Sequence, residues 1–217
     1  MSEATAISQG RPGPGDQGRS AVLDAAAKTF ARRGYAGSSM DDIADELGST
    51  KGRVYHYYRS KARVLEDILL LGARTLHEAV APVASRPGLA PAARLEEMAV
   101  EHALVLMRQN DVQAVTLHTI HLVTGRASEP GEANPFRYIV EARDAYEELW
   151  RTVMADGVVA GAFAAPDPDL AVRAVLGALN WSTVWYRPSP HDTDDRTRRL
   201  AEGLASYAVR GVLRHDG

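Results

Sequence analysis

The segment between Ser49 and Arg63 is rich in basic and ring side chains that can bind a charged partner. It has five cations, Lys51, Arg53, Arg59, Lys61 and Arg63, and no aspartate or glutamate. Four ring side chains lie among them, Tyr55, His56, Tyr57 and Tyr58. Lysine and arginine bind phosphate oxygens, and ring hydroxyl and N–H groups can add hydrogen bonds. The segment therefore predicts a surface that binds a polyanion.

Two short helices joined by a tight turn would position this basic segment. The apolar residues of the first helix, Met40, Ile43, Ala44 and Leu47, recur at helical spacing and share one face. Ser39 is a good N-cap for that helix, and Gly48 provides the left-handed residue that often ends one. Ser49 or Thr50 then caps a second helix that runs through Val54. The pattern predicts a helix-turn-helix.

From about Arg19 to Leu70 the sequence resembles the DNA-binding domain of the TetR family of repressors. The resemblance is carried by Phe30-Ala31-Arg32-Arg33-Gly34-Tyr35, Ser39, Ile43-Ala44, Gly48, Val54-Tyr55-His56-Tyr57-Tyr58 and Ser60-Lys61. The family usually has Phe where Tyr58 stands here, a departure that keeps the aromatic character.

This resemblance implies that the partner is double-stranded DNA, read as an inverted repeat by two copies of the chain. The candidate DNA-binding residues are Ser39, Ser49, Thr50, Lys51, Arg53, Tyr55, His56, Tyr57 and Lys61. Thr50 and Lys51 would point toward base edges at the start of the recognition helix. Tyr57 and Lys61 would contact phosphates, whereas Tyr58 would pack inward.

Charge and composition agree with a local DNA-binding module. Residues 1–63 hold 10 Lys/Arg and 7 Asp/Glu, a net charge of +3, whereas residues 64–217 hold 15 and 21, a net charge of −6. The chain has no cysteine, which excludes disulfides and thiolate metal sites. No long apolar run or signal-peptide region is present, so we expect a cytoplasmic protein with no membrane contact.

The fold predicted for the whole chain is all-α, with three parts. Residues 1–18, rich in Gly, Pro, Ser and Gln, are expected to form a disordered arm. Residues 19–63 form the helix-turn-helix domain, and residues 64–217 form a helical body that binds a ligand and dimerises. The helices of the body are predicted at about 60–84, 92–108, 111–124, 136–156, 167–186 and 192–213, with a loop at 125–135.

The helix at 167–186 is apolar on all sides, which is typical of a helix buried against its own core and a partner chain. The last helix could complete a seam with it. In proteins that this chain resembles, the last two helices form a four-helix bundle between two copies, so we expect a homodimer.

A ligand pocket is expected between the helices at about 92–124, 136–156 and 167–186. The candidate ligand-binding residues are His102, His118, His121, Tyr138, Tyr146, Trp150, Asn180, Trp181, Trp185 and Arg187. The segment Leu179–Pro188 resembles an actinobacterial TetR subgroup that responds to CoA thioesters of fatty-acid and steroid breakdown. The resemblance thus implies an acyl-CoA effector; a repressor of an efflux pump that senses apolar drugs is the alternative.

An enzyme is a more distant alternative. His102, His118 and His121 could form part of a metal site, because His118 and His121 are three residues apart on one helix. The sequence has no glycine-rich phosphate loop, GxSxG turn or carboxylate pair at a convincing spacing. We therefore expect no catalytic residues, no metal and no cofactor.

Overall fold

The computed structural model describes residues 14–124 and 137–214, apart from the side chains of residues 14–16, 121, 123 and 124. The described residues form helices joined by short connections: α1 (Pro14–Arg33), α2 (Met40–Glu46), α3 (Lys51–Tyr57), α4 (Lys61–Ala84), α5 (Pro91–Arg108), α6 (Asn110–Thr124), α7 (Arg137–Val159), α8 (Pro168–Asn180), α9 (Ser182–Trp185) and α10 (Asp194–Arg210). One isolated antiparallel bridge pairs Phe163 with Leu213. This architecture confirms the all-α prediction.

The chain divides into two compact units between Val64 and Leu65, in the first turn of α4. In the first unit, α1, α2 and α3 pack against one another. Their shared core contains the fully or nearly fully buried residues Val22, Ala26, Phe30, Met40, Ile43, Ala44, Val54 and Tyr58. The apolar residues of each helix face the other two helices. Helix α3 is therefore packed against the unit through its apolar side, and its other side is exposed.

In the second unit, α5 lies at the centre and packs against α6, α7, α8, α9 and α10. The core includes Leu95, Met98, Leu106, Trp150, Val153, Met154 and Leu179, all fully buried. Helix α4 joins this core through Leu76, Val80 and Val83. The body is therefore held together by residues that are far apart in sequence.

Two predicted boundaries are corrected. Helix α1 begins at Pro14, so residues 14–18, which were assigned to the disordered arm, are helical; residues 1–13 of that arm and the loop at 125–135 lie outside the described residues. The helix predicted to run to Tyr186 is interrupted at Trp181. The Thr183 hydroxyl donates to the carbonyl of Asn180 at 2.9 Å, and such side-chain bonds compete with the backbone ladder.

Every helix in the described parts of the chain is too short or too polar to cross a bilayer.

Candidate functional site

Helix α3 is a short, well-capped helix whose outer side carries polar and basic side chains. Thr50 is its N-cap and accepts a hydrogen bond from the backbone N–H of Arg53, while Val54 anchors the helix with no exposed surface. The side chains of Lys51, Arg53, Tyr55 and His56 are exposed. Gly48 has a φ of +63°, so the turn before α3 uses the left-handed conformation that glycine tolerates best.

Helix α2 supports α3 and begins with a capping box. The Ser39 hydroxyl accepts from the N–H of Asp42 at 3.2 Å, and the Asp42 carboxylate accepts from the Ser39 hydroxyl and backbone N–H at 2.6 and 2.8 Å. These hydrogen bonds hold the pKa of the Asp42 carboxyl below its usual value. Ser39 therefore fixes the start of α2, as its predicted N-cap role requires, and its contact with DNA stays a prediction.

The acidic side chains of α2 are mostly bound by cations of the same unit. Asp42 pairs with Arg33, Glu46 pairs with Arg32, and Asp41 pairs with Lys51 at 2.8 Å. The bond to Asp41 raises the pKa of the exposed Lys51. The ion pair between Lys51 and Asp41 must therefore break before Lys51 can bind a nucleic acid.

Two arginines near α3 have no such partner. Arg53 on α3 and Arg59 between α3 and α4 are exposed and form no ion pair with any residue that the structure describes. An unpaired guanidinium can bind phosphate or a guanine edge without first breaking an ion pair. Arg59 was not among the predicted DNA-binding residues; its place in an acid-free segment was the available signal.

Lys61 is turned toward its own unit. Its ammonium donates to the backbone carbonyls of Tyr35 and Ser38 at 2.7 and 2.6 Å, and it lies 4.4 Å from the centre of the Tyr35 ring. Lys61 begins α4 as predicted. Its ammonium nevertheless stabilises the connection between α1 and α2, because it binds two carbonyls of that connection that lie outside any helix.

The two tyrosines that follow His56 differ in burial. Tyr58 is 3% exposed, and its hydroxyl accepts from Arg19 Nε at 3.0 Å, with the guanidinium 5.1 Å from the ring centre. Tyr57 is half-buried, and its hydroxyl packs directly against Gly18 of α1. A Cβ atom at position 18 would lie only 2.0 Å from the hydroxyl oxygen, so no larger residue fits there without movement of the ring. The inward packing of Tyr58 agrees with its predicted role, whereas the phosphate contact of Tyr57 stays a prediction.

In the second unit, a cavity of about 110 Å³ lies among α4, α5, α6, α7 and α8. Its lining is largely apolar and consists of Leu69, Ala73, Leu76, His102, Thr116, Leu117, Ile120, Ile139, Arg143, Tyr146, Glu147, Leu176 and Asn180. The predicted pocket lacked the wall from α4, whose residues Leu69, Ala73 and Leu76 follow the spacing of one helix face. Periodicity could not distinguish a wall that faces a cavity from one that faces the core.

A buried hydrogen-bonded group forms the polar part of this lining. His102 Nδ1 lies 2.6 Å from the Tyr146 hydroxyl, and His102 Nε2 lies 2.9 Å from Asn180 Oδ1. Burial lowers the pKa of His102 to about 4 and raises the pKa of Tyr146 well above its usual value. Both rings are therefore neutral at pH 7.

Two charged residues line the cavity, and they bind each other. Arg143 Nε donates to Glu147 Oε1 at 3.1 Å, one helical turn away on α7. The second oxygen of Glu147 accepts from Arg151 Nη2 at 2.8 Å. Its neighbour Glu148 is exposed, whereas Glu147 contributes to the cavity.

Of the predicted ligand-binding residues, the structure brings His102, Tyr146 and Asn180 together at the cavity. Trp150 is fully buried behind them, in edge-to-face contact with His102 and Tyr146, because it follows Tyr146 by one helical turn. The remaining described candidates do not line the cavity and are exposed: His118, Tyr138, Trp181, Trp185 and Arg187. The side chain of His121 lies outside the described residues.

Arg187 has a structural role at the end of α9. Its Nη1 donates to the carbonyls of Thr183 and Tyr186 at 3.3 and 2.8 Å. Cations commonly bind the free carbonyls at a helix C-terminus. The contact of Arg187 with a ligand stays a prediction.

The metal-enzyme hypothesis gains no support from the geometry. Among the described residues, no three His, Cys, Asp or Glu side chains are grouped so that they could hold a metal ion. Both ring nitrogens of His102 are already hydrogen-bonded within the core, and His118 is exposed.

Helices α8 and α10 carry apolar stripes on their outer surfaces. On α8 the stripe contains Leu170, Ala174, Gly177, Ala178 and Trp181, with Leu170 and Trp181 each 63% exposed. On α10 it contains Leu200, Gly203 and Tyr207, and Tyr207 is 79% exposed. Cβ atoms added at Gly177 and Gly203 would meet nothing within 4 Å. Stripes of this kind are typical of interaction surfaces.

Comparison with known proteins identifies matches to both units. Residues 22–68 match the domain described as bacterial regulatory proteins, tetR family, and residues 88–212 match the tetracyclin repressor-like C-terminal domain. The HTH-type transcriptional repressor KstR2 of Rhodococcus jostii is 29% identical over 202 residues, 87% of this chain and 91% of that protein.

Solved structures show the same fold. The ketosteroid transcriptional regulator KstR2 of Mycobacterium tuberculosis aligns with a TM-score of 0.76 and 22% identity over 91% of this chain and 95% of that chain. AibR in complex with isovaleryl coenzyme A and operator DNA aligns with a TM-score of 0.65 and 22% identity over 86% of this chain and 97% of that chain.

Proposed function

This chain belongs to the TetR family of bacterial regulatory proteins, and we propose that it represses transcription as a homodimer that a small effector releases from an inverted repeat. The chain is a transcriptional regulator and not an enzyme, because both matched domains and the similar repressor are those of regulators. The observation that carries the proposal is the exposed surface of α3, where Arg53 has no ion-pair partner among the described residues.

The proposed DNA contacts divide into base and phosphate contacts. Thr50, Lys51 and Arg53 at the start of α3 would read base edges in the major groove. Tyr55, His56 and Tyr57 would contact the flanking bases or backbone, with Ser39 and Ser49 as further phosphate contacts. Lys61 would contribute mainly by holding the connection between α1 and α2, and only its third donor is left for a phosphate.

Selection of bound fragments from random DNA, followed by titration with salt, tests DNA binding. We expect one palindromic sequence and an affinity that falls steeply with salt, because phosphate contacts release counterions. Arg53→Ala should cost about 1–3 kcal/mol of binding and blur the preference at one base pair of each half-site. Arg74→Ala, on the exposed face of α4, is the control. Salt-insensitive binding without a preferred sequence would refute the proposal.

The apolar stripes of α8 and α10 support the proposed homodimer. Joining them to the same stripes of a second copy would bury an interface above about 1,000 Å² in total, the size of a specific interface. Ala178→Glu would place a carboxylate in that interface and should shift the sedimentation equilibrium to monomer. Val159→Glu, at the 90% exposed end of α7, is the control and should leave the dimer intact. A wild-type protein that is monomeric at micromolar concentration would contradict the assignment.

The cavity is the proposed effector site, and an acyl-CoA is the proposed effector. The resemblance of Leu179–Pro188 to acyl-CoA-responsive regulators supports this ligand, and AibR, which has the same fold, is described with isovaleryl coenzyme A. A sensor of cationic drugs would be favoured by an unpaired carboxylate in the cavity, but Glu147 is bound by two arginines. The test is release of the selected DNA by CoA thioesters, free acids and apolar drugs.

A further inference from the structure

We propose that the cavity binds an uncharged acyl part of its ligand, no larger than a branched short chain or a single ring, and that the carbonyl oxygen of this part accepts a hydrogen bond from the side-chain amide of Asn180. This inference rests on the proposed function, since it defines the chemistry of the effector that the same cavity binds. It concerns which atoms are recognised inside the cavity.

The hydrogen bonds around His102 determine which donor remains for a ligand. Asn180 Oδ1 can only accept, so His102 Nε2 carries the proton and donates to it at 2.9 Å. In a neutral ring the other nitrogen is then an acceptor, and the Tyr146 hydroxyl donates to Nδ1 at 2.6 Å. This arrangement uses the one N–H of His102 and the one O–H of Tyr146.

The hydrogen bonds of His102 and Tyr146 do not involve Asn180 Nδ2, which remains available as a donor. The amide has two N–H groups, and Asn180 lines the cavity as the last residue of α8. Because Oδ1 faces His102 Nε2 at 2.9 Å, Nδ2 is the amide atom directed away from the imidazole ring. A ligand that supplies an acceptor, such as a ketone or thioester oxygen, satisfies this donor.

The described lining offers an ionised group no unpaired cation. His102 and Tyr146 are neutral, and the two charged residues of the lining, Arg143 and Glu147, pair with each other. An ionised carboxylate beside the apolar walls would lose its hydration without gaining an unpaired cation. The bound part of the ligand is therefore uncharged, whereas any charged remainder lies outside.

The volume sets the size of the bound part. An apolar cavity of about 150 Å³ is large enough for benzene, and the cavity here is about 110 Å³. The space among Leu69, Ile120 and Leu176 thus suits a branched chain of four or five carbons or one small ring.

Isovaleryl-CoA and its thioether S-isopentyl-CoA form a matched pair of probes, because they differ only in the carbonyl oxygen. We expect calorimetry on the full-length protein to show binding of the thioester about five- to tenfold tighter than binding of the thioether, the ratio for one buried uncharged hydrogen bond. Equal affinity for the two compounds would overturn the inference. Free isovalerate, ionised at pH 7, should bind at least roughly a hundredfold more weakly than the thioester.

Asn180→Ala supplies the second test. In this variant the preference for thioester over thioether should disappear, whereas Arg173→Ala, an exposed change on the same helix, should keep it. Loss of the Asn180 oxygen also leaves His102 Nε2 without its acceptor, so a circular-dichroism melt must show that the variant is folded. If it does not fold, the probe pair on the wild type still decides the question.

Failure of the inference and failure of the proposed function give different results. Equal binding of thioester and thioether, with release of DNA by both, refutes recognition of the carbonyl and keeps the repressor. Binding of the thioester with the expected preference, in a protein that binds no specific DNA, supports the cavity chemistry and refutes the repressor. No binding of either compound overturns the inference.

Discussion

The surface of α3 and the cavity of the body show two ways in which a sequence encodes a binding site. The DNA-binding candidates lie within residues 39–61, and one short helix with its caps presents most of them. The cavity lining comes from five helices between Leu69 and Asn180. The first site can be read from local spacing, because a helix fixes which side chains share a face. The second depends on which distant faces pack together.

The two regions also differ in the exposure of their aromatic side chains and in the ion pairing of their basic ones. Tyr55 on α3 is 41% exposed, and Arg53 beside it has no ion-pair partner among the residues described. Trp150 beside the cavity is fully buried, and Arg143 at the cavity is bound to Glu147. An exposed arginine without an ion-pair partner favours contact with another molecule, whereas a fully buried ring such as Trp150 stabilises the fold.

The largest expected difference between the regions is in stability. Trp150→Ala removes a fully buried ring and should lower the free energy of unfolding by about 3–5 kcal/mol. Tyr55→Ala removes a partly exposed ring and should change it by less than about 0.5 kcal/mol, while it weakens DNA binding. Urea denaturation and fluorescence anisotropy with DNA measure the two effects. Similar losses of stability in both variants would contradict this contrast.

The next effect is a pH dependence that arises from His102. Its pKa is about 4 in the folded protein and 6.5 when exposed, so between these values the unfolded chain binds the proton that the folded protein excludes. The contribution of neutral His102 to the free energy of unfolding should therefore be fully present above pH 6.5. It should fall by about 3 kcal/mol as the pH drops to about 4. Thermal melts should show that His102→Gln flattens this slope, whereas His56→Gln, on the exposed face of α3, leaves it unchanged. Equal slopes for all three proteins would be evidence against a buried neutral His102.

A smaller effect separates two lysines of the DNA-binding unit. Lys61→Gln removes an ammonium that binds two backbone carbonyls and should lower the free energy of unfolding by about 1.5–3 kcal/mol. Lys51→Gln, at an exposed ion pair, should leave the melting temperature nearly unchanged and should relax base preference instead. Binding by the Lys61 variant should weaken for all sequences alike. An unchanged melting temperature in Lys61→Gln would contradict this role of the Lys61 ammonium.

The smallest effect is expected at Tyr58. Tyr58→Phe removes the hydroxyl that accepts from Arg19 Nε and should cost about 1 kcal/mol while the ring stays in the core. Tyr207→Phe, at a 79% exposed ring on α10, is the matched control and should have no effect on unfolding. A stability gain in Tyr58→Phe would show that the bond to Arg19 contributes nothing.

The sequence predicted the DNA-binding unit in detail because its signals act over a few residues. The cap at Ser39, the turn at Gly48 and the buried Val54 all have the roles that their spacing indicated. Lys61 was different. Its position at the start of α4 was predictable, but the carbonyls that it binds belong to a connection 23 to 26 residues earlier.

The cavity could be predicted only in outline. His102, Tyr146 and Asn180 were candidates because polar side chains interrupt apolar helix faces, and they meet although they are up to 78 residues apart. Arg143 and Glu147 were missed, since their spacing is also that of a surface ion pair. Trp181 was expected to line the pocket, but it continues the outward-facing stripe of α8 and is 63% exposed.

The most direct test of the proposed function is hydroxyl-radical footprinting of the dimer on the DNA sequence that it selects. We expect two protected half-sites with two-fold symmetry, about 34–36 Å apart from centre to centre, which places one α3 in the major groove of each. An effector that fills the cavity should remove both footprints together. A single protected site, or protection without symmetry, would contradict a dimeric repressor that reads an inverted repeat through α3.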